Sequence, residues 1–481
     1  MTKTAIFTVF APLTAVFVGC ATISRAHEAQ RAVAPRGDDA AQAAASARIA
    51  LCGSSLAELV DFALTNRPSV AVSRLAVRDA RLKLRELAAD APLLENWSDP
   101  LTSVRLALSG GYSASGEPFS LSEKLDFDTR GSASAALSLD LLLWDWGRYD
   151  AAAKAQAERV IAAEQELLDE QYRVFAEVAA AYFAAMDRDA LLEVARTNEF
   201  EYAQHLERIE RLKDAGEAKN LDILRARLDL AQAKEATVKA AKDVQTAGAD
   251  LVCALGLDGS RAVREDILAR PEQALSYAMQ GFAATDYPVA EAFAFARTNA
   301  PAMRIVRARL RSASAEVDRA IADLKPEVSA SLSFSWTDPA AYFRWGVNAV
   351  ESLFEGWRKT TAVERATVAL KAAAAEVDRA EQELSLKLEL AIAERDTARE
   401  ALRTAAESLR QAKANLEQVS EQYELGEANR VDYTDAVSDY VTALGHTVTA
   451  FYTRQTAEAA LFQLVGRKPV YAERKIVKEE Q

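Results

Sequence analysis

The carboxylates of this chain with the most suggestive spacing are Asp432 and Asp435, three residues apart and so on nearly one face of a helix. Asp222 is the counterpart of Asp432 in an earlier stretch, because Gly216-Glu217-Ala218…Asp222 recurs as Gly426-Glu427-Ala428…Asp432. Carboxylates placed just past a helix-breaking glycine can complement the positive N-terminal end of the next helix. Catalysis has no comparable candidate. The three histidines, His27, His205 and His446, are scattered and read as surface or packing residues. There is no Cys-x-x-Cys, no phosphate-loop glycine pattern and no Gly-x-Ser-x-Gly. The other acidic residues alternate with Lys and Arg as a solvated helix face. The chain is therefore read as a non-enzyme with no cofactor and no metal site. No Met-rich or His-rich stretch points to metal cargo.

The elements that must carry these residues are mostly helices. The chain has 481 residues, 50% of them hydrophobic with alanine prominent, only 7% aromatic and 27% charged. That balance suits long helices and coiled coils rather than a compact α/β enzyme. A net charge of −13 argues against nucleic acid as a partner.

Four short stretches break the helical pattern. Val328, Ala330, Leu332, Phe334 and Trp336 alternate with serines, and Phe343, Trp345, Val347 and Ala349 alternate with Arg344, Gly346 and Asn348. This period of 2 predicts strands over about 328–336 and 342–350, joined by Thr337-Asp338-Pro339-Ala340-Ala341. The same alternation predicts strands over about 102–112 and 132–142, with Arg105 and Asp140 on the wet face alongside Arg344 and Asn348. Strands of about ten residues suit a tilted membrane crossing. All six tryptophans, Trp97, Trp144, Trp146, Trp336, Trp345 and Trp357, lie in or beside these strands, as an aromatic girdle at a bilayer surface would. Four strands cannot close a barrel, since single-chain barrels begin at about eight, and open edges are not tolerated in lipid. A membrane reading thus demands several chains sharing one barrel.

Along the chain, residues 1–19 read as an export signal, with Lys3 followed by an apolar run. Phe17-Val18-Gly19-Cys20 resembles a bacterial lipoprotein processing site, with Phe17 where leucine is usual, so that Cys20 becomes the lipid-modified first residue. An ordinary signal peptide cut further on is the alternative. Residues 20–54 form an Ala-rich tether and lead-in, and 55–256 a first structural repeat. Residues 257–288 form a linker, 289–467 a second repeat, and 468–481 a polar tail. The duplication is written in paired motifs. Phe62-Ala63-Leu64-Thr65-Asn66-Arg67-Pro68 answers Phe295-Ala296-Arg297-Thr298-Asn299-Ala300-Pro301, and Trp144-Asp145-Trp146-Gly147-Arg148 answers Phe354-Glu355-Gly356-Trp357-Arg358. The first copy is longer between its strands, through Gly116-Glu117-Pro118 and a charged stretch to Arg130. Each strand pair leads into a very long helix, Tyr149 to about Lys213 and Lys359 to about Tyr423, that breaks at Gly216 or Gly426. The returning helices, about 221–255 and 431–465, are about half as long, as are the lead-in helices 56–87 and 290–322. A lead-in and a returning helix stacked end to end would match one long helix. Cys52 and Cys253 are either a disulfide pair or two small buried residues.

This plan of helix, two strands, long helix and returning helix, written twice with its paired motifs, resembles the TolC-like outer-membrane factors. They are the exit ducts of bacterial drug-efflux and type I secretion systems. The resemblance covers about 55–467. It implies a homotrimer with a twelve-stranded barrel in the outer membrane and a helical tunnel across the periplasm. It also implies work with a periplasmic adaptor (membrane-fusion) protein and an inner-membrane pump. By resemblance, Gly216 and Gly426 sit at periplasmic tips that meet the adaptor, and Tyr423 is a tip tyrosine that can bond across to the neighbouring helix pair. Asp432 and Asp435, with Asp222, would ring the closed pore. Three like carboxylates about one axis narrow an opening and select cations. Cys20 would add a lipid anchor in the outer membrane. The alternative without a barrel is a periplasmic coiled-coil scaffold or adaptor with a small soluble β domain.

Overall fold

The computed structural model describes residues 56–88, 104–114, 129–214, 219–257, 289–337, 340–350, 357–425 and 427–466. Cys20, Cys52, Trp97, Gly216 and Gly426 lie outside them. The elements run α1 (Leu56–Asn66), α2 (Pro68–Ala88), β1 (Val104–Ala114), β2 (Thr129–Trp144), α3 (Arg148–Asp214) and α4 (Asn220–Ala254). The same order then recurs as α5 (Val289–Asn299), α6 (Pro301–Ala322), β3 (Glu327–Thr337), β4 (Ala340–Val350), α7 (Arg358–Glu424) and α8 (Arg430–Val465). Helices α3 and α7 have 67 residues each, so that each extends about 100 Å at ~1.5 Å per residue.

Each lead-in helix is two helices rather than one. Proline at the first position of α2 and α6 has no N–H to give the preceding turn and disfavours helical backbone in the residue before it. The chain therefore breaks between Asn66 and Pro68, and again between Asn299 and Pro301. These breaks receive the ends of the returning helices. Gly256, at φ +76°, stands so close to Arg67 that a Cβ there would lie 3.1 Å from its Cγ. Gly466, at φ +70°, meets Pro301 in the same way, at 3.0 Å from its Cδ. Lead-in and returning helices thus meet end to end beside each long helix. A main core sits around this level, where Phe175, Val178, Phe183, Leu251, Leu255, Tyr452 and Phe462 are buried together. A smaller one under α5 joins Met303, Leu388, Ile392 and Leu461.

Laterally, α3 packs against α2 and α4 on one side and α6 and α8 on the other, whereas α7 packs on α6 and α8. Ion pairs tie these layers. Arg309 to Glu166 is 2.5 Å, Arg311 to Glu158 2.8 Å and Arg297 to Glu381 3.1 Å. The fully buried Glu458 accepts from Arg399 at 2.8 Å between α7 and α8.

The four strands form one antiparallel sheet in the order β1-β2-β3-β4, so the two strand pairs join through β2 and β3. Its register sorts the residues into two faces. Arg105 pairs with Ser138, Ser138 with Ser333 and Ser333 with Arg344, while Asp140 pairs with Ser331 and Asn348 with Ser329. The alternate rows are apolar: Val104, Leu139, Leu332 and Trp345, then Leu106, Leu137, Phe334 and Phe343. The β3–β4 ladder runs to Thr337 opposite Ala340, which leaves two residues between the strands instead of the five read from the alternation. β2 likewise starts earlier than the alternation marks, at Thr129, pairing with Ala114.

Candidate pore aperture and sheet–helix collar

Where the sheet turns into helix, short sequence signals fix a corner. The β2–β3 register slips between Leu142 and Trp144, a bulge that bends the strand out of the ladder. Trp146 and Gly147 then take left-handed backbone at φ 63° and 80°, and Trp357 does so at φ 67° before α7. A tryptophan in this region is a strained exception, so something must hold it. Asp145 is buried at 3% exposure, and its Oδ1 accepts from Gly147 N–H at 3.1 Å and its Oδ2 from Tyr149 N–H at 2.6 Å. These bonds cap the start of α3. Trp146 donates its indole N–H to the Pro326 carbonyl at 2.7 Å, with Lys325 Nζ 5.5 Å from its ring centre. Arg148 pairs with Glu327 at 2.9 Å and reaches Asp323 at 3.8 Å, tying the first-copy corner to the second-copy one.

The tryptophans at this collar stay partly uncovered. Trp144 and Trp146 stack edge-on at 6.0 Å and are exposed, as is Trp357, whereas exposed Trp345 lies mid-strand opposite Leu332. Trp336 falls in the apolar row between Ala135 and Ala341 by register. On the opposite face Asn348 donates to Ser331 Oγ at 3.2 Å, and the Arg344 side chain is exposed.

At the far end, the three carboxylates singled out by sequence are all close to the helix turns. Asp222 Oδ2 accepts from the Lys219 N–H at 3.2 Å, and Asp432 Oδ2 from the Asn429 N–H at 3.2 Å. Asn429 Oδ1 returns the favour to the N–H groups of Val431 and Asp432, at 2.8 and 3.0 Å. Asp222 and Asp432 therefore complement the starts of α4 and α8. Asp432 and Asp435 are both exposed.

Tyr423 lies in a cluster that spacing alone could not reveal. Its ring stacks on Tyr433 at 5.0 Å, and His205 from α3 stacks on Tyr433 at 5.5 Å. The Arg208 guanidinium lies 5.9 Å from the Tyr423 ring centre. Beside this stack Arg430 of α8 pairs with Asp229 of α4 at 3.2 Å, linking the two hairpins. His205, read from sequence as a surface or packing histidine, is buried at 3% exposure, and neither ring nitrogen has a hydrogen-bond partner among the described residues. Burial holds its pKa below the usual histidine value; the cations Arg430 and Arg208 add to this and Asp229 opposes it. Burial also raises the Tyr423 hydroxyl. Cys253 is a free, exposed thiol rather than a small buried residue.

Long paired helices rise from a small antiparallel sheet, with aromatic residues at the seam and carboxylates at the far turns. The chain belongs to the outer membrane efflux protein family, whose model matches residues 59–257 and 295–467. No curated protein matches it by sequence. Among solved structures it is similar to a membrane protein from Pseudomonas aeruginosa, with 22% identity and a TM-score of 0.70 over 86% of this chain and 90% of that one. It is also similar to the outer membrane protein VceC from Vibrio cholerae, with 16% identity and a TM-score of 0.69 over 86% and 96%. The open state of the MtrE outer membrane channel from Neisseria gonorrhoeae matches with 18% identity and a TM-score of 0.68 over 86% and 89%. Membership of this family makes the chain an efflux protein rather than an enzyme.

Proposed function

We propose that this outer-membrane efflux channel works as a homotrimer, three chains closing a shared barrel and a helical tunnel. Substrates delivered by an inner-membrane pump and a periplasmic adaptor leave through it. The observation that carries this reading is a pair of unmatched edges. β1 and β4 are the two ends of the four-stranded sheet, each with a neighbour on one side. The helical layer ends the same way: Val72, Leu75, Leu82, Leu224 and Leu228 are exposed on α2 and α4, and Val368, Leu386 and Leu390 on α7. A head-to-tail contact that repeats by rotation closes both edges at once. Three copies supply twelve strands, above the roughly eight that barrels require.

In this assembly the row through Arg105, Asp140, Arg344 and Asn348 lines the lumen, and the row through Phe334, Phe343 and Trp345 faces lipid. Trp97, Trp144, Trp146, Trp336, Trp345 and Trp357 form the girdle. A lipid on Cys20 would anchor the outside of the collar. The turns at Gly216 and Gly426 face the adaptor. Asp432 and Asp435, with Asp222, ring the aperture. Small-molecule efflux is the default cargo for this assembly.

The test is single-channel recording of the full-length protein in planar bilayers. Asp435→Asn removes three charges from the ring without touching a cap, so cation selectivity should fall several-fold with the trimer intact. Unchanged selectivity in Asp435→Asn and in Asp432→Asn would remove the carboxylate ring from the account. A soluble monomer with no conductance would favour the periplasmic scaffold instead.

A further inference from the structure

A buried histidine with both nitrogens unanswered is an expensive way to fill space, since an unmade hydrogen bond to a buried polar group costs roughly 1–3 kcal/mol. Phenylalanine would stack on Tyr433 without that cost. His205 sits where three elements of the two hairpins meet. Tyr423 reaches it from α7 and Tyr433 from α8, while Asp229 of α4 and Arg430 of α8 pair beside it. Among the described residues the charged groups acting on it are Arg430, Arg208 of its own helix and Asp229, and Asp222 acts on the Tyr423 ring beside it. Tyr202, one turn away on α3, lies within electrostatic reach of Asp229 and Asp435. The imidazole itself is acted on by Arg430 and Arg208, with Asp229 opposing them from its pair with Arg430.

We propose that the His205 stack is a proton-sensitive latch between the two hairpins of each chain, closed while the imidazole is neutral and released when acidification charges it. An imidazolium there would face Arg208 and Arg430 with no acceptor on either nitrogen. It gains hydration and loses repulsion when α3 separates from the α7–α8 turn. The sign follows from linkage. The latched state holds the histidine pKa below its ordinary value, so it binds fewer protons than the released state. Latching is then at full strength above the ordinary value of roughly 6.5 and weakens as pH falls below it, by at most about tenfold per pH unit per chain. Carboxylates of ordinary pKa, near roughly 4, do not titrate in that window.

The latch rests on the duct reading only for its conductance readout, so two readouts separate the claims. Hydrogen exchange of the full-length protein in detergent, corrected for intrinsic rates, is compared at pH 7.5 and 5.5 for the parent and His205→Phe. The parent should lose protection in 199–212 and 430–440 on acidification by up to about tenfold, and His205→Phe should not. In bilayers the parent should open on acidification and His205→Phe should stay closed. Loosening without conductance supports the latch and counts against the duct. The same pH response in parent and His205→Phe overturns the latch. Should the phenylalanine variant fail to assemble, the parent's histidines decide, since the chain has only three. Isotope-labelled His205 must titrate below the ordinary value together with the tyrosine signals of the stack, and an ordinary titration without that coupling overturns the proposal.

Discussion

The two ends of α3 are held by different kinds of contact. At the sheet end a buried carboxylate accepts two backbone N–H groups, an indole N–H meets a carbonyl, and Arg148 reaches two acids of the second copy. At the tip end an imidazole stacks on Tyr433 with Tyr423 tilted against it, and the Arg430–Asp229 ion pair bridges the hairpins. The two bonds to buried Asp145 define one geometry and are costly to leave unmade. At the tip end the stacked rings separate at modest cost, and the Arg430–Asp229 pair is the directional tie. A long helix with one fixed end and one releasable end can tilt about its base. The strained Trp146 at the fixed end fits the same division, because its backbone persists only where its surroundings over-determine it.

The largest expected effect lies at the fixed end. Asp145→Ala deletes both caps from a buried site and should cost about 2 kcal/mol or more. The purified protein should melt clearly earlier, and an unchanged melting curve would mean the collar is no anchor. Next, Asp229→Ala removes the tie to Arg430 and should shift the open-to-closed ratio by roughly fivefold, about 1 kcal/mol, with little change in melting. A double-mutant cycle with Arg430→Ala should show the two effects to be one. The two tips can also be set against each other, since α8 has a side-chain cap in Asn429 and Lys219 gives α4 none. Asn429→Ala should cost about 1 kcal/mol, while Lys219→Asn should add up to about 1 kcal/mol, both read by denaturation. The smallest stability change belongs to Asp432→Asn. Asparagine can still accept from the Asn429 N–H, so stability should stay within ~0.5 kcal/mol while cation selectivity drops.

Much of this frame is legible in the chain. Alternation marks the sheet because one face is polar, and α3 and α7 end at Asp214 and Glu424, close to where the helical pattern stops. What escapes reading has a physical cause in each case. The breaks before Pro68 and Pro301 fall inside one continuous amphipathic pattern, so periodicity joins what the ring of proline divides. Left-handed Trp146 and Trp357 follow no composition rule, since their backbone is imposed by the corner. The pairing of β2 with β3 depends on how the repeats sit together. His205, Asp229, Arg430 and Tyr433 lie on three helices far apart in sequence, and no local spacing signals that they meet. Asp222 and Asp432 show the converse: the sequence marks both positions, and the structure adds that they cap helices.

The most direct test of the account is the mass of the native particle extracted from the outer-membrane fraction in mild detergent. The matched open edges of sheet and helical layer predict three copies of the full chain, which separate to one on boiling. A particle of one copy, or a protein recovered from the soluble periplasmic fraction, would leave β1, β4 and the apolar edges of α2, α4 and α7 uncovered and would contradict the shared barrel.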